Sequence, residues 1–219
     1  MRLPGWLSGY LVCVLLHLVS LLAGWEWLRF ASKPLLMLIL LFAGSAPWVN
    51  AALFFSWLGD IFLMGEAEHF FMAGLSAFLV AHICYIIFFY RQRKQRPPRP
   101  GWQRYGIIGM GLYIGLFYFF LAPHLADMLK APVFVYACVI ATMFVFSWHM
   151  GLYCIIGAAL FLVSDSLLAV NSFIRPMAAA PFLIMATYAA AQLLIVWGCL
   201  PKNIPRQPVP RQNIDYGTN

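Results

Sequence analysis

Long, unbroken apolar runs such as LSGYLVCVLLHLVSLLAG and GLSAFLVAHICYIIFFY, joined by short polar connectors, make up most of this sequence. Runs of that length make lipid the solvent of the folded chain, and in lipid only α-helices and closed β-barrels satisfy every backbone N–H and C=O. The apolar residues are continuous and do not alternate with polar ones as barrel strands require, so the fold class is all-α. Composition closes off a soluble alternative. Only 10% of the 219 residues are charged, against about a quarter in soluble domains, and so few charges cannot coat a surface that faces water.

A span needs roughly 20 apolar residues, which predicts a polytopic helical bundle of about eight transmembrane helices: approximately 7–23, 29–44, 47–64, 70–90, 105–122, 132–148, 150–170 and 177–200. In the second of these, Lys33 and Pro34 fall in the first turn, where a proline lacks no helical partner. Arg2 followed by an apolar segment resembles a signal peptide, but no small-x-small site follows Leu21 and Leu22, so the segment reads as an uncleaved first span. The expected organisation is a single transmembrane domain over residues 1–200, a basic loop at about 91–104 between two halves of four spans, and a flexible tail over 201–219.

Basic residues orient the bundle. With the N-terminus in the cytoplasm, Arg2, Arg91, Arg93, Lys94, Arg96, Arg99, Arg104, Lys202, Arg206 and Arg211 lie inside, and Arg29, Lys33, Lys130 and Arg175 lie outside, ten against four of the 14 Lys and Arg. The positive-inside rule then places both termini in the cytoplasm, in the plasma (inner) membrane if the chain is bacterial. The net charge of +7 is concentrated in the loop and the tail, so it reads as a topology signal with some attraction for anionic membrane lipids, not as a nucleic-acid surface. Cys13, Cys84, Cys138, Cys154 and Cys199 lie within or at the ends of spans with no CxxC spacing, which supports neither a disulfide framework nor a metal site. No metal or other cofactor is expected.

An ionisable side chain inside a span costs at least about 2.5 kcal/mol on insertion scales, so each one asks for a reason. Asp60 lies in LFFSWLGDIFLM and Asp165 in LFLVSDSLLAV, four and five residues before the expected ends of spans three and seven. Both spans run outward, so at about 1.5 Å per residue both carboxylates are expected roughly 6–8 Å below the outer boundary. Each follows a small residue, Gly59 or Ser164, that leaves room for another helix or a substrate. Two neighbouring carboxylates in a low dielectric resist carrying charge together, which sets a general acid beside a general base.

Other polar residues fall on spans that can face the pair: Lys33 near the outer end of span two, His82 about midway along span four, and Tyr188 and Gln192 along span eight. Taken singly, each has a plainer role. His82 can bond a carbonyl in the packing, Lys33 can snorkel to the interface, and Tyr188 and Gln192 can join helices. Glu26, Glu66, Glu68 and His69 fall in short outer loops and read as solvated, and His124 and His149 lie at span ends. Spans three–four and seven–eight read as a parallel repeat, each with a small-residue–Asp pair followed by a span bearing polar groups. Two such four-helix repeats place the Asp helices pseudo-symmetrically across a central cleft.

The strings SKPLLM, SWLGDIFLM, GLSAFLVAHICYI, GAALFLVSDSLLA and TYAAAQLLI, in this order between residues 32 and 195, resemble those of the YhhN family, which includes the mammalian lysoplasmalogenases. The resemblance implies a multi-span hydrolase that cleaves the vinyl ether bond of a lysophospholipid substrate, lysoplasmalogen, to a fatty aldehyde and glycerophosphocholine or glycerophosphoethanolamine. It also implies that Lys33, Asp60, His82, Asp165, Tyr188 and Gln192 are the matching polar positions. Paired carboxylates suit this chemistry, since one can protonate the β-carbon and the other can stabilise the oxocarbenium ion and take a proton from water. The catalytic candidates are therefore Asp60 and Asp165, with Lys33, His82, Tyr188 and Gln192 as substrate-binding candidates. Two other classes use paired intramembrane aspartates. A small proton- or cation-coupled transporter calls for helices broken at both acids, and only Gly59 is so placed. An aspartyl intramembrane protease calls for a GxGD string, and Trp57 occupies the first glycine position.

Overall fold

The computed structural model describes residues 4–65, 67–93 and 102–201. Among them are eight helices: α1 Gly5–Ala23, α2 Glu26–Leu41, α3 Pro47–Phe62, α4 Glu68–Gln92, α5 Trp102–Leu121, α6 Asp127–Ser147, α7 Leu152–Ala169 and α8 Ala180–Cys199. No strand occurs among the described residues. Lys94, Arg96 and Arg99 of the basic loop, Glu66, Arg2 and the tail from Lys202 onward, with Arg206 and Arg211, lie outside the described residues.

Local chemistry sets the helix ends. Gly24 closes α1 with φ +69°, returning its N–H to the Ser20 carbonyl, a left-handed cap that a residue with a Cβ adopts only at a cost. Pro47 opens α3 at a first-turn position, where its missing N–H has no partner to lose. Helix α7 passes into a five-residue π-turn, Val170–Ile174, before Pro176 stops the continuation.

One expected boundary is corrected. Helix α2 begins at Glu26, so Pro34 lies inside the helix and not in its first turn. Glu26 and Arg29 pair at 2.6 Å and extend the helix into the polar connector. The N–H that Pro34 lacks is tolerated, as such breaks are in membrane helices packed against neighbours.

Six of the eight helices, α1 and α4 to α8, are long and apolar enough to cross a membrane. Helices α2 and α3 have 16 residues each, or about 24 Å at 1.5 Å per residue, and fall short by that measure.

Consecutive helices pack within each half, α1 to α4 and α5 to α8, while α4 against α6 and α1 against α8 join the halves. The closest pairs are α3 with α4 and α7 with α8, and glycines explain why. A Cβ on Gly59 would stand 2.6 Å from the Phe78 ring, and one on Gly157 would stand 2.9 Å from the Ala191 carbonyl oxygen. Small residues at such crossings let helix backbones approach where no hydrophobic effect drives association. The core they close includes Leu36, Met37, Val49, Leu53, Phe89, Phe161 and Ile195, all nearly inaccessible. By contrast α5 turns Ile107, Ile108, Leu112, Leu116 and Phe119 outward, as a helix bathed by lipid does.

Candidate active site

Helices α2, α3 and α8 converge on Asp60. The carboxylate is 2% exposed, accepts a hydrogen bond from the Tyr188 hydroxyl at 2.7 Å and faces Lys33 Nζ at 3.8 Å. That last distance is an ion pair without a hydrogen bond, so the ammonium keeps donor capacity for another group. Gly59, immediately before Asp60, lets the Phe78 ring of α4 lie against the α3 backbone. One turn further from the α3 C-terminus, Ser56 accepts from Gln192 Nε2 at 3.0 Å, and the Gln192 carbonyl oxygen accepts from the Tyr85 hydroxyl at 2.6 Å. Gln192 therefore spans α3, α4 and α8 without touching a carboxylate. Tyr10 of α1 closes the same end by donating to the Ala189 carbonyl at 2.9 Å.

Asp165 has a different setting. It is half-buried, accepts a hydrogen bond from the Tyr136 hydroxyl of α6, and has no cation among its ion pairs in the described residues. It lines two clefts. One lies between α4, α6 and α7 and is walled by Leu63, Phe71, Leu75, Phe78 and Phe173. The other lies between α5, α6 and α7, where Tyr113 and Ser166 share a hydrogen bond. Apart from Asp165 and a few hydroxyls their walls are apolar.

The two carboxylates are close enough for the charge of Asp60 to act on Asp165. A cluster of rings fills the space around them. Phe78, Phe161 and Tyr188 meet edge to face at centroid distances of 5.4–6.2 Å, and His82 stands edge to face with Phe161 at 4.6 Å and with Tyr136 at 5.3 Å. His82 is wholly inaccessible, and among the described residues neither ring nitrogen makes a well-formed hydrogen bond. The carbonyl of Phe78, one turn back, faces it with poor geometry. Of the residues expected from sequence, Lys33 and Tyr188 thus both meet the Asp60 carboxylate. Asp165 and His82 belong to the neighbouring Tyr136 cluster, and Gln192 lies in the bracing network below Asp60.

Sequence reasoning missed Tyr136, which sits mid-span in VFVYACVI and is the hydrogen-bond partner of Asp165. A phenol in an otherwise apolar run was the available signal, the same one that marked Tyr188. Helices α3 and α7 continue unbroken through Asp60 and Asp165, so the geometry that a transporter reading calls for is missing at both acids. No group of three or more His, Cys, Asp or Glu able to hold a metal occurs among the described residues.

The YhhN family model matches residues 27–199, which takes in both carboxylates and every side chain that bonds to them. The chain belongs to the YhhN family. Among similar proteins, this YhhN chain is 31% identical to human lysoplasmalogenase TMEM86B over 206 residues, covering 94% of the chain and 79% of that relative. It is 31% identical to bovine lysoplasmalogenase TMEM86A over 216 residues, 92% of the chain and 82% of that relative. A lysoplasmalogenase of Mycobacterium tuberculosis is 32% identical over 163 residues, 73% of the chain and 58% of that protein. No solved structure matches the chain.

Proposed function

We propose that this chain is a membrane hydrolase that cleaves the vinyl ether bond of lysoplasmalogens, with Asp165 as general acid and Asp60 as the carboxylate that stabilises the cation and activates water. The names of the relatives support the substrate class. The observation that carries the mechanism is the order of environments along the site. An apolar cleft leads to Asp165, Asp60 lies within its electrostatic reach, and Lys33 pairs with Asp60 while no cation among the described residues pairs with Asp165. A lysoplasmalogen carries its groups in the same order: alkenyl chain, vinyl ether, glycerol, phosphate.

With the chain in the α4–α6–α7 cleft, Asp165 donates its proton to the β-carbon, on the chain side of the double bond. The electron pair of the C=C bond forms the new C–H bond, and the adjacent ether oxygen shares the positive charge as an oxocarbenium ion. Asp60, held ionised by Lys33 and oriented by Tyr188, stabilises that cation and accepts a proton from the water that attacks it. The resulting hemiacetal collapses: its hydroxyl gives its proton to the Asp165 carboxylate as the C=O bond forms, the C–O bond to glycerol breaks, and the glycerol oxygen takes the proton that Asp60 had received from water, so aldehyde is released and both carboxyl groups return to their starting states. Lys33, with unused donors, meets the phosphate as a point charge. Of the other substrate-binding candidates, Tyr188 orients Asp60, Gln192 braces the helices that carry them, and His82 shapes the wall around Tyr136.

The same reading carries the finer topology. Helices α2 and α3 cross the membrane with the other six, their short length offset by local thinning of the bilayer or by flanking residues, giving eight spans and two parallel halves. Residues 1–200 then form one transmembrane domain with both termini and the basic loop in the cytoplasm, and the carboxylates open toward the outer face.

Purified protein should release aldehyde from 1-alkenyl-2-hydroxy-glycerophosphoethanolamine or its choline counterpart, with no metal added and with chelator present, and should leave 1-acyl and diacyl lipids intact. Fatty acid released from the acyl lipids, or no aldehyde from the alkenyl lipid, would refute the assignment.

A further inference from the structure

At the Lys33 end of the site, one ring nitrogen of a buried histidine has no hydrogen-bond partner among the described residues. His17 of α1 is 1% exposed and packs against α2, where Nδ1 lies 2.8 Å from Ser32 Oγ. Ser32 has one hydroxyl proton and donates it to the Leu28 carbonyl at 2.6 Å. The contact between Ser32 and His17 must therefore take its proton from the imidazole, which fixes the tautomer with hydrogen on Nδ1. In that tautomer Nε2 is a bare lone pair, and among the described residues it has no hydrogen-bond partner. A buried acceptor left unpaired is costly and rare in native proteins. It is explained if a ligand supplies the donor.

The position of His17 indicates which donor. Ser32 precedes Lys33, whose ammonium faces Asp60. On α1, Tyr10 lies on the same buried face as His17 and is within electrostatic reach of Asp60. His17 thus packs on the stretch of α2 that carries Lys33, within electrostatic reach of its ammonium, the side of the site where the proposed pose puts the glycerol and phosphate. Resting on the hydrolase reading above, we infer that Nε2 of His17 accepts a hydrogen bond from the free sn-2 hydroxyl of the substrate and so selects lyso lipids over those acylated at that oxygen. An acylated oxygen has no proton to give, and a site built around a hydrogen-bonding hydroxyl discriminates strongly against its loss. His17 precedes the residues matched by the family model, so this selection is read from the chain's own α1.

The test uses the full-length protein and two non-hydrolysable saturated ethers, 1-O-alkyl-2-hydroxy-glycerophosphoethanolamine and its 2-deoxy counterpart. Wild type should bind the hydroxyl form about 10- to 100-fold more tightly. His17→Leu should lose that preference by weakening the hydroxyl form while leaving the deoxy form unchanged. Equal binding of the two ethers by wild type, an undiminished preference in His17→Leu, or an equal loss for both ethers in that variant would each overturn the inference. Should His17→Leu fail to fold, Ser32→Ala releases the tautomer and must reduce the preference, and an unchanged preference in Ser32→Ala overturns the inference in its place. A hydroxyl preference lost with His17, in a protein that releases no aldehyde from the alkenyl lipid, upholds this subsite while refuting the hydrolase reading.

Discussion

Asp60→Asn and Asp165→Asn should each lower aldehyde release by about 100- to 10,000-fold, the range in which positioned general acids and bases act. Asparagine keeps the shape of the side chain and can still accept the hydroxyl of Tyr188 or Tyr136, so both variants should elute as monodisperse protein, with Asp165→Asn unfolding near the wild-type temperature and Asp60→Asn below it because Lys33 is left without its counter-ion. What they lose is proton exchange. The amide of Asp165→Asn has no acidic proton for the β-carbon, and that of Asp60→Asn offers neither charge for the cation nor a base for water. Because the two residues act on one event, the double variant should be little slower than either single one. Initial rates of aldehyde formation at saturating lysoplasmalogen provide the check. Full activity in a folded Asp165→Asn protein would remove the acid from the mechanism.

The second large effect concerns the packing that holds these groups in place. Gly157→Leu should separate α7 from α8, which carry Asp165 and Tyr188. A Cβ at Gly157 meets the Ala191 carbonyl oxygen at 2.9 Å and the Ile195 nitrogen at 3.0 Å, and both are helix backbone that cannot swing aside as a side chain can. Overpacking of this kind reaches about 3 kcal/mol, or roughly 6–12 °C in a chain of this size. Gly109→Leu and Gly115→Leu on α5 provide the control, since nothing lies within 4 Å of either Cβ, and leucine is the better helix former. Size-exclusion profiles after heating should show early loss for Gly157→Leu and none for the α5 variants. A Gly157→Leu protein as stable as wild type would mean that α7 and α8 lie further apart.

How far the sequence could be read follows from the physics of each feature. Helix class and approximate limits were legible because lipid leaves the backbone no other way to satisfy itself, and each run marks its own helix. Helix ends were less so. Pro34 reads as a first-turn residue only when the polar Glu26–Arg29 pair is left out of α2, and the π-turn after Ala169 follows from no local signal. Asp60 and Asp165 stood out by their cost in lipid, as did Lys33, while Tyr188 was singled out as a polar group in an apolar span. The partners of those groups lie far off in sequence: Tyr188 reaches Asp60 across 128 positions and Gln192 reaches Ser56 across 136. Only the packing of α3, α4 and α8 decides that Tyr188 holds a carboxylate while Gln192, one turn on, braces Tyr85 and Ser56. The pairing of Tyr136 with Asp165 and the unfilled nitrogen of His17 depend on packing in the same way.

The central claim is that a proton is delivered to carbon and water attacks the adjacent carbon. Hydrolysis of lysoplasmalogen in D₂O, with the aldehyde reduced to alcohol as it forms, should give product carrying one deuterium on the carbon next to the former carbonyl. In H₂¹⁸O the label should appear in the aldehyde-derived alcohol and not in the glycerol. Product without deuterium at that carbon, or ¹⁸O in the glycerol hydroxyl, would contradict proton delivery by a carboxyl group and place the reaction at a different bond.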